Sequence, residues 1–254
     1  ILMPQQTQIG GIWINDDLKE QTSKIAEICQ DFARQLAELG LSYYYQHYPI
    51  NSIAIEPMRE LGFKAKERIT YRIEDLTNLD AVIKSFSKNK KRQLQKALSL
   101  HVDTSMNIED FYRFHTQCLQ AQGKQISYSR EFLLVLHRKT SRLQQSQILS
   151  ICNADNQVVA AAFLVWDKHS LYYLIPCYDP QHKDSGASAL LALEAIKFAR
   201  QQGVAFDFEG SMIKGVANHY KQFGTTRTIY YSIEKYYKWY FWFANVYNWL
   251  RERR

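Results

Sequence analysis

The stretch Gly203-Val-Ala-Phe-Asp-Phe-Glu-Gly-Ser211, running on through Met212-Ile-Lys-Gly-Val-Ala-Asn-His-Tyr-Lys-Gln-Phe-Gly224 to Thr225-Thr-Arg-Thr-Ile-Tyr-Tyr231, decides the fold. Its pattern predicts a short strand over 204–208 that ends in two acids and breaks at Gly210. A short helix closed by Gly224 follows, and a second strand begins near Thr226. Charge at the C-terminal end of a strand, beside a chain break, is where α/β folds keep their chemistry. Alternation puts Asp207 and Glu209 on one face and Phe206 and Phe208 on the other. The rings are expected to pack on a helix layer, with both acids on the far side. Two carboxylates on one partly desolvated face repel, which raises the pKa of one and suits it to take a proton from an incoming ammonium. Glu209 is the candidate base. Asp207 reads either as a substrate contact or as a tie for the turn at Gly210-Ser211.

Working back from this stretch, Ser185-Gly186 opens a long helix to Gln202, with Leu190, Leu191, Leu193, Ile196 and Phe198 mostly inward. From residue 147 to that helix the apolar period is two, which predicts strands over 148–152, 158–166 and 171–177. The first two form a hairpin across Asn153-Ala-Asp-Asn156, whose Asn and Asp side chains bond their own backbone. Antiparallel strands, a long helix, a parallel strand, a helix and a last strand make a mixed α/β order. Nearer the start, Asn15, Asp16 and Asp17 are placed to cap a helix that runs to about Leu39 and stops at Gly40. Its stripe is Ile25, Ile28, Phe32, Leu36 and Leu39. Strands over 41–46 and 67–73, helices over 77–86 and 88–98, a helix capped by Asn107 and one over 130–139 complete the reading. The predicted division is an N-terminal region over 1–100 that includes a basic connecting helix, a C-terminal domain over 101–236 and an aromatic helix over 237–254.

Of the 254 residues, 46% are apolar and 22% charged, an ordinary globular balance with length for one large or two small domains. The net charge of +7 points to an anionic partner: nucleic acid, a phosphorylated cofactor or lipid headgroups. Cys29, Cys118, Cys152 and Cys177 are widely spaced and form no CxxC or Cys/His cluster. They read as reduced, buried thiols of a cytoplasmic protein, and no metal site is expected. No signal peptide or spanning segment is visible. The chain opens on Ile1, with the strand-like Ile9-Gly-Gly-Ile-Trp-Ile14 close behind, so preceding residues are expected to be missing.

Three further segments carry chemistry. Lys183-Asp-Ser-Gly186-Ala-Ser188 lies at a helix start, where unpaired N–H groups and a positive dipole end favour a pyrophosphate and small residues allow close approach. Lys183, Ser185, Gly186, Ala187 and Ser188 are therefore candidate cofactor contacts. Ser87-Lys-Asn-Lys-Lys-Arg-Gln-Leu-Gln-Lys96 is the strongest basic run; Lys88, Arg92 and Lys96 lie four apart and form one cationic stripe. Lys91, Arg92 and Lys96 are candidate contacts for an anionic substrate, and so is Lys221 in His219-Tyr-Lys-Gln-Phe-Gly224, where Phe223 reads as core and Gly224 as the helix stop. The tail from Tyr236 to Leu250 is dense in Trp, Tyr and Phe, and Arg251, Arg253 and Arg254 follow it. It reads as a helix docked on the protein, with a peripheral membrane contact as the alternative.

These segments resemble the GNAT superfamily of acyltransferases, and within it the bacterial FemAB-like or BioF2-like type. The resemblance covers most of the chain after Thr70. The family's donor loop, Arg/Gln-x-x-Gly-x-Gly/Ala, is met in part, with Lys183 and Ser188 departing from it. Its strand-end aspartate and glycine match Asp207 and Gly210, and its Phe-Lys-x-x-Phe-Gly end is similar to 219–224. Its Asn-x-Lys/Arg-Arg-x-x-Lys-Lys-Ala run is kept as Asn89, Lys91, Arg92, Lys96 and Ala97. The resemblance implies a GNAT-like fold, with the N-terminal third an incomplete, worn copy in a tandem pair. It implies N-acylation of a small-molecule or cell-wall-precursor amine, with acetyl-CoA or another acyl-CoA as co-substrate or an aminoacyl-tRNA as donor, and no DNA partner. Tyr220 becomes the candidate general acid and Glu209 the base. The competing class is a non-catalytic basic binding module, for tRNA or a membrane surface, that keeps the fold.

Overall fold

The computed structural model describes residues 1–210 and 214–238. In chain order the elements are α1 (Thr22–Glu38), β1 (Tyr43–His47), α2 (Ile55–Glu60), β2 (Lys64–Ile73), α3 (Leu79–Ser85), α4 (Lys88–Lys96), β3 (His101–Asp103), α5 (Ile108–Ala121), α6 (Arg130–Arg142), β4 (Ser146–Cys152), β5 (Val158–Trp166), β6 (Ser170–Tyr178), α7 (Ala187–Gln202), β7 (Ala205–Asp207), α8 (Lys214–Lys221) and β8 (Thr226–Tyr236). They fall into two units: residues 1–69 with the chain from Thr228, and Thr70–Arg227. The mixed α/β class read from the sequence is the one observed.

In the second unit the strand order is β2-β7-β6-β5-β4-β3. Only β6 and β7 run parallel, Leu171 opposite Phe206; the other pairs are antiparallel. β5 is buried along Val159–Leu164 and therefore apolar at every position, as a strand covered on both faces must be. Ala161 and Phe163 meet Phe111, Cys118 and Leu133 of α5 and α6. α7 lies against β4 to β7, and its buried Ala187, Ala189, Ala192, Ala195 and Ala199 let it approach closely. α5 and α6 begin on side-chain caps, Asn107 accepting from the N–H of Asp110 and Ser129 from that of Phe132. In the hairpin turn the Asn153 side chain accepts from the N–H groups of Asp155 and Gln157.

In the first unit β1 pairs antiparallel with β8, Tyr43 opposite Tyr236. Its core joins Ile25, Cys29 and Leu36 of α1 to Tyr44, Met58, Phe63 and Ile233. The order helix, strand, helix, strand occurs as α1-β1-α2-β2 and again as α7-β7-α8-β8. In both series each helix is followed by a left-handed glycine, Gly40 and Gly62 in one and Gly203 and Gly224 in the other.

Several boundaries differ from the sequence reading. Asp16–Leu18 is a 3-10 turn, and bonds from Leu18 N–H to Asn15 O and from Gln21 N–H to Leu18 O close it before α1 begins. The first helix therefore starts at Thr22 and takes no cap from Asn15 or Asp17. Leu39 lies beyond the helix and is exposed. α2 and β3, six and three residues long, were not anticipated, because such lengths show no period. Residues 70–100, read as N-terminal, belong to the second unit, since α4 packs on α7. Of the aromatic tail only Tyr236, Tyr237 and Lys238 are described; its expected helix lies outside the described residues, as does Ser211. All four cysteines are free and buried, and among the described residues no three His, Cys, Asp or Glu side chains group to hold a metal. No helix among them is long and apolar enough to cross a membrane.

The contact between α4 and α7 depends on Gly186. Its φ is +85°, and a Cβ there would stand 2.1 Å from the carbonyl oxygen of Gln93. A backbone oxygen in a helix cannot swing away as a side chain does. Gly186→Ala is expected to cost roughly 1–3 kcal/mol, read as a drop in Tm of several degrees. An unchanged Tm would refute the contact.

Candidate active site

β7 places its last residue between two strands, with Asp207 opposite Tyr172 of β6 and Arg72 of β2. The Asp207 carboxylate is fully buried. It accepts from Arg72 Nη1 at 2.8 Å, from the backbone N–H of Glu209 at 2.7 Å and from the Thr70 hydroxyl. Arg72 also donates to Ser170 Oγ and to both oxygens of Glu74. Burial pushes the Asp207 carboxyl up, while Arg72 and the two other donors pull it down. Burial is the larger effect and the net direction is upward, while the guanidinium and the two N–H or O–H groups on its oxygens favour the anion. The sequence reading of Asp207 as a substrate contact gives way here to its alternative, a tie at the strand end.

That tie redirects the chain. Asp207 captures the N–H two residues on, a local Asx turn, and Glu209 takes a φ of 61°, in the left-handed region where a non-glycine residue is strained. The strand ends at Asp207, so alternation does not set the direction of Glu209 as the sequence suggested. Its Oε1 is buried and has no hydrogen-bond partner among the described residues. Burial, then the charge of Asp207, holds this carboxyl well above the usual carboxylate range, which favours its protonated form.

Phe206 and Phe208, expected to pack on a helix layer, form an aromatic cluster with a tyrosine of the neighbouring strand β6. Their ring centroids are 4.8 Å apart, and both rings meet Tyr173. Phe208 stacks on Tyr220 at 4.7 Å and lies 5.0 Å from Phe223. Tyr220 thus sits against the turn that carries Glu209. Burial, followed by the charges of Glu209 and Asp207, pushes its phenol up to about 12, so it holds its proton at neutral pH. A strained carboxyl, whose ionised form can take a proton, and a phenol able to give one are thereby brought together.

The other predicted residues scatter more. Ser185 donates to His182 O and accepts from the N–H of Ala187, while the N–H of Ala189 is bonded to Gly186 O. Lys183 is exposed, Ser188 half-buried, and Ala187 buried against the sheet. Gly186 is explained by the approach of α4, and two N–H groups of this helix start are already used. Lys221 is exposed, its Nζ 6.0 Å from the centroid of the Tyr71 ring. On α4, Lys91, Arg92 and Lys96 are exposed; Lys91 donates to Lys84 O and Arg92 to Asn89. Lys90, in the same run, is 1% exposed and passed unnoticed in the sequence. The signal was present: Lys90, Leu94 and Ala97 repeat at steps of four and three, on the inward face. The two ends of the site are held together by Ser87 N–H donating to Gln222 O at 2.8 Å and Asn89 Nδ2 to Gln222 Oε1 at 3.0 Å.

A family model described as an acetyltransferase (GNAT) domain matches residues 84–222. No curated protein matches the chain in sequence. Among solved structures the chain is similar to FemX, with a TM-score of 0.67 at 14% identity over 81% of this chain and 75% of that one. It is similar to a conserved protein of unknown function from Bacteroides thetaiotaomicron, with a TM-score of 0.64 at 10% identity over 82% and 74%. L-PGS from Bacillus licheniformis aligns with a TM-score of 0.53 at 13% identity over 82% and 72%. At such identities the likeness is one of fold.

The state of Glu209 can be read from stability alone. Its folded pKa lies well above the unfolded value of 4.5. The protonated side chain is therefore accommodated at full stability below pH 4.5, and stability is lost as pH rises through the folded pKa. Glutamine keeps the shape and does not titrate. Glu209→Gln is expected to match the parent in Tm below pH 4.5 and to exceed it increasingly at higher pH. A variant less stable than the parent at alkaline pH would show that the carboxylate is held by donors.

Proposed function

We propose, from the premise that this chain belongs to the acetyltransferase (GNAT) family, that its second unit moves an acyl or aminoacyl group from an acyl-CoA or an aminoacyl-tRNA to the amine of a small molecule or cell-wall precursor. The single observation that carries this reading is the buried carboxyl of Glu209, whose Oε1 has no hydrogen-bond partner among the described residues, beside the Tyr220 phenol. Burial disfavours charge on Glu209, and it disfavours an ammonium at the same place equally. Once Glu209 has lost its proton to solvent, an ammonium beside its carboxylate passes a proton across, leaving neutral acid and neutral amine. The amine then attacks the acyl carbon and a C–N bond forms; the nitrogen releases its second proton to solvent as the C–S or C–O bond to the donor breaks. Tyr220 gives its proton to the departing sulfur or oxygen and recovers one from Glu209 through solvent, so that one proton is released overall. No covalent enzyme intermediate is required.

The exposed Lys91, Arg92 and Lys96, with Lys221, supply positive charge for a phosphorylated donor or acceptor. The helix start at Lys183–Ser188 is assigned to an acyl-CoA pyrophosphate, with Gly186 serving the approach of α4 as well. The recurring helix, strand, helix, strand order supports reading the first unit as an incomplete copy of the second. In this reading the protein works in the bacterial cytoplasm. The non-catalytic alternative is set aside, because the family is one of acyltransferases.

Two outcomes test the reading in assays pairing acyl-CoA or aminoacyl-tRNA donors with amines and detecting the amide by mass spectrometry. The parent kcat/KM should rise with pH through the pKa of Glu209, since the carboxylate is the active form. Glu209→Gln should lose about 10²–10⁴-fold in rate and that pH limb with it; a variant keeping both would remove Glu209 from the chemistry. Separately, K91E/R92E/K96E is expected to abolish turnover while Tm stays close to that of the parent, because exposed charges add little to stability. Turnover that survives the triple reversal would withdraw the substrate role of α4.

A further inference from the structure

The buried lysine of the basic run has a different setting from its neighbours. Lys90 Nζ lies 2.9 Å from Gln93 Oε1 and 3.2 Å from His219 Nδ1, and 4.7 Å from the centroid of the Phe223 ring. Among the described residues no acid offsets its charge. Burying an amine without a carboxylate is costly, and a methionine would fill the same space without that cost. What the lysine does that methionine could not is donate hydrogen bonds.

The donation has one chemical consequence. An ammonium has three N–H donors and no acceptor, so the nitrogen of His219 that faces it must be the bare one. The hydrogen of the neutral ring then sits on Nε2, which has no partner among the described residues. His219 immediately precedes Tyr220 on α8, with ring centroids 5.8 Å apart. We propose that Lys90 is a positioning residue that fixes the His219 imidazole in the Nε2–H tautomer, so that His219 presents a neutral N–H donor to the carbonyl oxygen of the acyl group beside Tyr220. This rests on the transfer reading above. Burial and the Lys90 charge hold His219 down to about 4, so it stays a neutral donor and does not become a cation through the physiological range. Burial also brings Lys90 down to about 8, which leaves it an ammonium at neutral pH. Among the described residues, Lys90 on α4 is the charged group in contact with the ring, and Tyr220 is its titratable neighbour on α8.

The tautomer is measured directly by 15N NMR on imidazole-labelled protein, without any substrate. The expected result is a bare Nδ1 and a protonated Nε2 in the parent. In Lys90→Met a mixture of tautomers should appear, with a His219 pKa that climbs from about 4 toward 6.5. Lys90→Met and His219→Ala should each lower kcat by on the order of 10²-fold, the loss seen when one oxyanion donor is removed. Because both act through one N–H, the double variant should be no slower than the worse single variant. Lys90→Gln keeps a donor to Nδ1 and should recover most of the rate; it also serves if the methionine variant folds poorly. Hydrogen on Nδ1 in the parent, losses that multiply, or a stability loss with kcat unchanged would each overturn the role of Lys90. Absence of acyl transfer in the parent, with Nε2–H observed, overturns instead the functional reading and with it the contact to substrate.

Discussion

The ion pair between Arg72 and Asp207, closed off from water with Thr70 and Ser170, is the interaction on which the rest of the second unit turns. A buried pair of this kind is poor evidence for added stability, since apolar residues of like volume often do as well. Breaking it is another matter, because the remaining charge would be stranded, at a cost of about 3–5 kcal/mol. Its effect is specificity of geometry. Arg72 holds Oδ2 of the carboxylate, and Oδ1 accepts from both the Thr70 hydroxyl and the N–H of Glu209. The strand must stop there, and the next acid leaves the pleat in a left-handed conformation. The strain at Glu209 is thus the by-product of satisfying Asp207.

Environment then separates groups that sequence makes look alike. Asp207 and Glu209 stand two residues apart, yet one is surrounded by donors and the other has a bare oxygen among aromatic rings. Donors favour the anion of the first, while burial without such donors favours the neutral form of the second, so that environment drives two like groups apart. The same division occurs on α4, where Lys91 faces solvent and Lys90 is enclosed by Phe223, Gln93 and His219. Hydrogen bonds from Ser87 and Asn89 to Gln222 bring these two helices together. Tyr220 sits where both arrangements meet, stacked on Phe208 and adjoining His219.

Most of the fold was legible because long elements carry periods. The hairpin of β4 and β5, the inward face of α7 and the glycine stops at Gly40 and Gly224 all follow from local chemistry. Glu209 drew attention as a candidate through a charged strand end beside a chain break, while Tyr220 entered only through the resemblance to the GNAT superfamily. What could not be read was how each charge is satisfied. Arg72 lies 135 residues from Asp207, and nothing in the local pattern of either announces the pair. Gly186 illustrates a subtler ambiguity. A glycine at a helix start suits a phosphate, and it equally suits a neighbouring helix backbone, which the sequence does not display. Lys90 was readable in principle but hidden inside a run whose common feature, positive charge, describes only the exposed members.

The provenance of the strands adds a constraint that neither a motif nor a pocket expresses. Each helix, strand, helix, strand series ends in a long strand, β2 in one and β8 in the other. The end of β2 pairs with β7 in the second unit, while β8 pairs with β1 in the first. Thr70, Tyr71 and Arg72 therefore come from the close of the first series, yet they form the floor under the strand end of the second. The chemistry read from residues 203–224 is incomplete without them: remove β2 and Asp207 loses its guanidinium, Glu209 its turn, and Phe208 the carbonyl of Tyr71 that its N–H meets at 2.9 Å. The geometry of the site thus rests on the end of β2 as much as on residues 203–224, which is why a boundary drawn at residue 100 divides what the ion pair joins.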